Sequence, residues 1–259
     1  MHSVIPALLA VALPVLFVGA SELGFRIGRA SARTLDADSK SLVLTIETAL
    51  LGVIGLLLGF SFSMSAGRFE SRRDVMIDEG NAIGTAYLRA GLLADAERDD
   101  IRRTLRGYID ARIAIYGAGN DRTRLSEVES QADAAQVHIW RVAAAAVRRE
   151  PRELPAALLI QSLNEMIDLD SKRAAIFRNR VPPVIPVLLI VTAFLGMAGA
   201  GYQSAIAGRR RRGLTSLLAI SLAGIIFVIL DLDRPWSGTI RVSQAAMLEL
   251  RERIDRTSR

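Results

Sequence analysis

Residues 41–73 read SLVLTIETALLGVIGLLLGFSFSMSAGRFESRR, and between Lys40 and Arg68 the only ionisable side chain is Glu47. At about 1.5 Å per helical residue, such a segment crosses a hydrocarbon core of about 30 Å. No proline interrupts it, and it passes directly into a charged, helix-forming sequence. The reading is one long helix that crosses a bilayer and continues as the first helix of a water-facing domain. Gly52, Gly55 and Gly59, with Thr48, Ser63 and Ala66, recur at spacings of three and four and make a ridge of small residues. Such ridges let helices approach closely in lipid, so these glycines are the expected packing residues. Val53, Leu57, Phe60 and Met64 are expected on another face, which meets lipid or lines a pore between copies of the helix.

Half of the chain is apolar, 51% of 259 residues, although 23% is charged. The apolar residues must therefore be clustered. There is no cysteine and only two histidines, His2 and His138. Disulfides, thiolate sites and His-rich metal sites are thereby excluded, and no metal or cofactor is expected. The net charge is +6, but residues 65–181 hold 19 basic and 18 acidic side chains. The excess lies beside the apolar spans, where it sets topology, so nucleic acid is not an expected partner.

Outward from this helix, residues 4–22 form a first span. Val18-Gly19-Ala20 has the form of a signal-peptidase site, but MHSVIP lacks the basic n-region, so a retained span is expected. Residues 65–181 carry helical stripes throughout and no sustained alternation of period two. One stripe is Ile101, Leu105, Tyr108, Arg112 and Ile115; another, after a capping box at Ser126-x-x-Glu129, is Val128, Ala132, Ala135, Ile139 and Val142. Pro182, Pro183 and Pro186 mark re-entry into the membrane. Spans follow at 184–206 and 214–231, separated by Arg209–Arg212, and a turn-rich segment leads into a short amphipathic helix. The expected fold is all-α, with four transmembrane helices in a 2+2 arrangement around a helical bundle. Its segments are 1–66, 67–181, 182–231 and 232–259, in a multi-pass protein.

Two stretches carry a family resemblance: LLGFSFSMSAGRFESRR with DEGNAIGTAYLRAGLL, residues 57–93, and DLDRPWSGTIRVSQAAMLEL, residues 231–250. With the 2+2 spans they resemble the bacterial bestrophin-like membrane proteins and, more distantly, the bestrophins, which are pentameric anion channels. Arg68-Phe69-Glu70-Ser71-Arg72 is similar to the Arg-aromatic-aromatic-Glu-x-Arg run of that family with one aromatic missing. Asp233-Arg234-Pro235-Trp236-Ser237-Gly238 is similar to its acidic turn with an inserted Arg and Ser. The resemblance implies a homo-oligomer, a pentamer, in the bacterial inner membrane, passing small anions. It implies a hydrophobic neck at Phe60 and Phe62. No calcium site carries over.

Weighed singly, the remaining candidates divide. Arg68, Arg72 and Arg73 either concentrate anions at a vestibule or anchor the span at the membrane surface. Asp231, Asp233 and Arg234 either form an ion mouth or only close a turn. Glu47 costs on the order of 3 kcal/mol at mid-bilayer, so it faces protein or water unless it sits at the interface. His138 reads as a packed or surface residue, and Glu165, Asp168 and Asp170 as a solvated face. No nucleophile elbow, phosphate loop or metal-spaced cluster occurs, so no catalytic residue is assigned and the protein is not expected to be an enzyme. Against the channel stands a membrane-anchored sensor or interaction module, which needs no ring.

Orientation follows from loop charge. Residues 21–40 and 207–213 hold eight Lys/Arg, whereas nine lie near the span ends on the other side. Short loops weigh more, which alone would place residues 67–181 outside; the bestrophin resemblance places them in the cytosol. Fusions at Gly119 are expected to give cytoplasmic-reporter fluorescence and no phosphatase activity, and the reverse pattern would invert the topology.

Overall fold

The computed structural model describes residues 4–32, 34–118, 121–149, 154–234 and 238–257. Among these there are eight helices and no strand: α1 (Val4–Ser31), α2 (Ala37–Ala90), α3 (Asp95–Ala118), α4 (Arg122–Arg149), α5 (Leu154–Arg178), α6 (Val184–Ile206), α7 (Arg212–Leu232) and α8 (Ala245–Thr257). Four of them, α1, α2, α6 and α7, are long and apolar enough to cross a membrane.

The helix ends have local causes. The Asp36 carboxylate accepts the Ser39 N–H at 3.0 Å and starts α2. Thr45 and Thr48 donate their hydroxyls to Ser41 O and Leu44 O at 3.0 and 2.8 Å, which hides both groups within the span. Two expected boundaries move. The first apolar helix does not stop at residue 22 but runs to Ser31, because Gly24 and Gly28 pack on α6 and Arg26 pairs with Glu22. The capping box at Ser126 is not used. Asp121 accepts the N–H groups of Thr123 and Arg124, both at 3.1 Å, and begins α4 more than a turn earlier.

The chain divides into two compact units. The first comprises Met1–Arg68, Arg180–Arg234 and Gly238–Ile240. Its core joins Leu13, Phe17 and Ala20 of α1, Ile54 and Leu58 of α2, Leu189, Ala193 and Met197 of α6, and Ala219, Leu222 and Ile226 of α7. Close approach of α1 and α6 rests on glycine. A Cβ at Gly24 would fall 1.8 Å from the Ala198 carbonyl oxygen, and one at Gly201 would fall 1.9 Å from that of Ser21. On α6, Gly196 faces Ile54 of α2, with Ile54 Cδ1 2.5 Å from where a Cβ would lie.

The second unit comprises Phe69–Asn179 and Arg241–Arg259. The stripes foreseen on α3 and α4 are its core: Ile101, Leu105, Tyr108, Ile115, Ala132 and Ile139 are all buried. α8 contributes Met247, Leu250 and Ile254. Inside this core lies an ionic network fed by four helices. Glu79 of α2 is fully buried between Arg112 of α3 (2.7 Å) and Arg173 of α5 (3.3 Å). Both arginines also reach Asp170 of α5, at 3.1 and 2.8 Å. Tyr108 donates to Glu79 at 3.2 Å, and Gln136 of α4 donates to Tyr108 and Asp170 at 3.1 and 3.0 Å. When both carboxylates are ionised, two cations face two carboxylates and the buried charge balances. Asp170 is therefore no solvated residue: helical spacing sets it beside Arg173, opposite Arg112.

Burial pushes the Glu79 carboxyl up to about 7, against the opposing pull of Arg112. A carboxyl raised by folding adds stability that is full below its unfolded value of 4.5 and is lost as pH rises through 7. The unfolding temperature of the wild type is expected to fall relative to Glu79→Gln over that interval, and parallel pH profiles would contradict the assignment. The glycine contacts make a separate expectation. Gly24→Ala and Gly201→Ala should each cost at least about 1–3 kcal/mol, read by denaturant titration in detergent micelles. Gly107→Ala, on an exposed turn of α3 with open space at the Cβ position, should be neutral or stabilising by up to about 1 kcal/mol.

Candidate pore-lining face of α2

At 3.6 residues per turn, the inward side of the α2 span is fixed by Glu47, Ile54, Leu58, Ser61 and Ser65, all buried. The opposite side is an exposed strip: Gly52, Leu56, Gly59, Phe60, Ser63 and Gly67. Phe60 is 67% exposed and Leu56 60%. The glycine ridge and Phe60 were expected on separate faces, and the structure sets them side by side. Val53 and Phe62 flank the strip and are exposed, whereas Leu57 and Met64 are half-buried. Leu57 packs against the core of the first unit. Ser61 and Ser65 turn inward, leaving Ser63 as the polar group of the outer face.

Nothing lies within 4 Å of the position a Cβ would occupy at Gly52, Gly55 or Gly59. These glycines are spent on no contact inside the chain; Gly24, Gly28 and Gly201 serve that purpose. Leu56 was missed by sequence reasoning. Its signal was available, since it stands four residues before Phe60 and four after Gly52.

The charged candidates separate. Arg68 is half-buried and Arg73 exposed. Arg72 is 1% exposed and donates Nη2 to the Asn179 carbonyl at 3.3 Å. It continues the inward side, seven residues after Ser65 and seven before Glu79. At the end of α7, Asp231 is buried. Its carboxylate accepts the Thr239 N–H (2.9 Å), the Thr239 hydroxyl (2.6 Å) and the Ile240 N–H (2.8 Å). Asp233 accepts the Val181 N–H at 3.0 Å, and Arg234 is half-buried. These bonds give both carboxylates a turn-closing role; Pro235, Trp236 and Ser237 lie outside the described residues. A Cβ at Gly238 would meet Asp231 O at 2.8 Å, so the turn needs glycine there. His138 Nε2 lies 2.9 Å from Asp100 Oδ2, a hydrogen bond at a partly exposed site. Among the described residues no group of three or more His, Asp or Glu stands close enough to hold a metal ion.

Comparison with known proteins gives the following. The model of the Bestrophin-like domain matches residues 15–247. A point variant of a bacterial bestrophin homologue from Klebsiella pneumoniae superposes with a TM-score of 0.74 at 15% identity, covering 96% of this chain and 99% of that one. A bacterial bestrophin homologue from the same organism, solved by zinc phasing, gives a TM-score of 0.68 at 17% identity, with 95% and 98% covered. A second point variant gives 0.71 at 16%, with 95% and 99% covered. At such identities the likeness is one of fold. No curated protein matches.

Proposed function

We propose, from the premise that this chain belongs to the bestrophin-like family, that it is an oligomeric anion channel of the bacterial inner membrane. The observation that carries the reading is the outer strip of α2: glycines with no neighbour inside the chain, beside an exposed phenylalanine. Glycine offers little surface to lipid tails, and its value in a membrane is close approach of another helix. Copies of α2 set side by side would use Gly52, Gly55 and Gly59 in that way. A ring, a pentamer by analogy with bestrophins, encloses an axis that a single chain of four spans lacks.

Phe60 and Phe62 stand about 160° apart around the helix, from two steps of 100°. They therefore take different roles. Phe60, with Leu56 one turn before it, faces the axis and forms an apolar constriction that conducts on wetting. Phe62, on the far flank, meets the neighbouring copy, whereas Val53, seven residues before Phe60 and about 20° from it, lies on the Phe60 side. Arg68 and Arg73 supply positive field beyond the constriction and favour small anions. Arg72, Asp231 and Asp233 are committed inside the chain and are left out of the mouth.

In liposomes, Phe60→Ala is expected to raise chloride flux several-fold and Arg68→Glu to lower the anion-over-cation preference. Gly59→Leu should convert the ring to smaller species by mass photometry. A purified wild type that is monomeric and carries no flux, with Phe60→Ala equally silent, would replace the channel by a membrane-anchored interaction module.

A further inference from the structure

The seam between α6 and α7 opens into a groove of about 500 Å³. Ala200, Leu214 and Leu218 give it an apolar wall, and Arg209 and Arg211 line it from the loop that joins the two helices. That loop is closed by its own bonds. Gly208 takes a φ of +69°, a conformation that favours glycine. The Arg209 N–H donates to Ser204 O at 3.2 Å, and the Ser204 hydroxyl donates back to Arg209 O at 2.6 Å. The Thr215 hydroxyl is spent on Arg212 O at 3.1 Å. The donors that line the groove are therefore the two guanidiniums and the Gln203 amide. The first turn of α7 adds backbone N–H groups that the Arg211 side chain, at the N-cap, leaves uncapped.

The depth of these donors follows from their neighbours. Arg210 pairs with Glu22 of α1 at 2.6 Å and lies over Phe25 at 4.7 Å, and Glu22 also pairs with Arg26. This cluster of charge marks the end of the spans, where headgroups lie. Arg209 and Arg211 have no carboxylate partner among the described residues. Residues 21–40 and 207–213 together hold eight Lys/Arg against three Asp/Glu, so the surplus at this level is positive. Glu47 lines the deep end of the groove. Its Cγ is 3.8 Å from where a Cβ on Gly199 would fall, and Gly199 stands seven residues, roughly 10 Å, before the end of α6 at Ile206. A phosphate held by the arginines therefore stays in the headgroup layer, clear of Glu47. Acyl chains attached to it run inward over Leu214 and then Leu218. The positive surplus disfavours a headgroup with its own ammonium. We propose that this groove binds an anionic phospholipid of the phosphatidylglycerol class, with its phosphodiester on Arg209 and Arg211. The site requires neither a ring nor a pore, and its failure would leave the channel reading untouched.

Native mass spectrometry of the full-length protein, equilibrated with equal amounts of phosphatidylglycerol, phosphatidylethanolamine and phosphatidylcholine of matched chains, tests it. The wild type is expected to retain phosphatidylglycerol over either zwitterionic lipid by on the order of tenfold, the scale set by two arginines at an anionic headgroup. Arg209→Ala with Arg211→Ala should bring that ratio near one. Arg29→Ala with Lys40→Ala removes the same charge beside the other loop on that side and should leave the ratio intact. Equal retention of the three lipids by the wild type overturns the proposal without any variant having to fold. So does a preference that survives Arg209→Ala with Arg211→Ala, or one lost equally in the Arg29 and Lys40 variant, which would make the attraction one of diffuse charge. Displacement of the lipid by millimolar inorganic phosphate overturns it too, since the groove would then be a site for the free anion.

Discussion

A helix in hydrocarbon has no water to satisfy its polar side chains, so each must be turned to protein or bonded to its own backbone. α2 meets this constraint along one side. Glu47, Ser61 and Ser65 face inward within the span, and Thr45 and Thr48 bond back to their own carbonyls. The same side continues as Arg72 and Glu79, buried in the second unit. One face of an unbroken helix is thus committed to protein, in core made by α6 and α7 for its first part and by α3, α5 and α8 for its last. Everything else about α2 follows from what that commitment leaves over.

In the second unit the equivalent constraint is charge. Glu79 is drawn out of water by the apolar residues around it, and two arginines and a second carboxylate come with it. Each member arrives from a helix fixed elsewhere by its own stripe, so the network forms only in one register of the four helices. Losing one partner strands the rest in low dielectric.

Much of this was legible before any coordinates. Length and hydropathy place the four apolar helices, and the 3.6-residue stripes of α3 and α4 identify the residues that are buried. The matches at residues 57–93 and 231–250 pointed to the family that the domain model covers. What resisted was the choice of face. Periodicity says that Gly52, Gly59 and Ser63 share a side of α2, but it does not say which side α6 and α7 occupy. The inward residues turned out to be Ile54, Leu58, Ser61 and Ser65, and that moved Leu57 and Met64 half inside. Arg72 was misjudged for a related reason. An arginine just past a span reads as an anchor or a mouth, whereas its register with Ser65 and Glu79 puts it in the core. The capping box at Ser126 lost to Asp121, whose carboxylate reaches two free N–H groups more than a turn earlier.

The glycines bring these points together. Two sets among them have different surroundings. At Gly24, Gly28 and Gly201 even one methyl group would overlap a neighbouring backbone, so these positions are used up by the fold of the single chain. At Gly52, Gly55 and Gly59 the space is open. Open space at a helix surface in lipid is poorly used by glycine. Leucine there would raise helix propensity and bury more area against the acyl chains, at no cost to the chain's own core. A second helix is the surrounding in which three glycines at spacings of three and four do better than leucine, because only they permit backbone approach. The chain already shows the device at work between α1 and α6. The outer strip of α2 presents the same device without its counterpart, and a neighbouring copy of the chain can provide one.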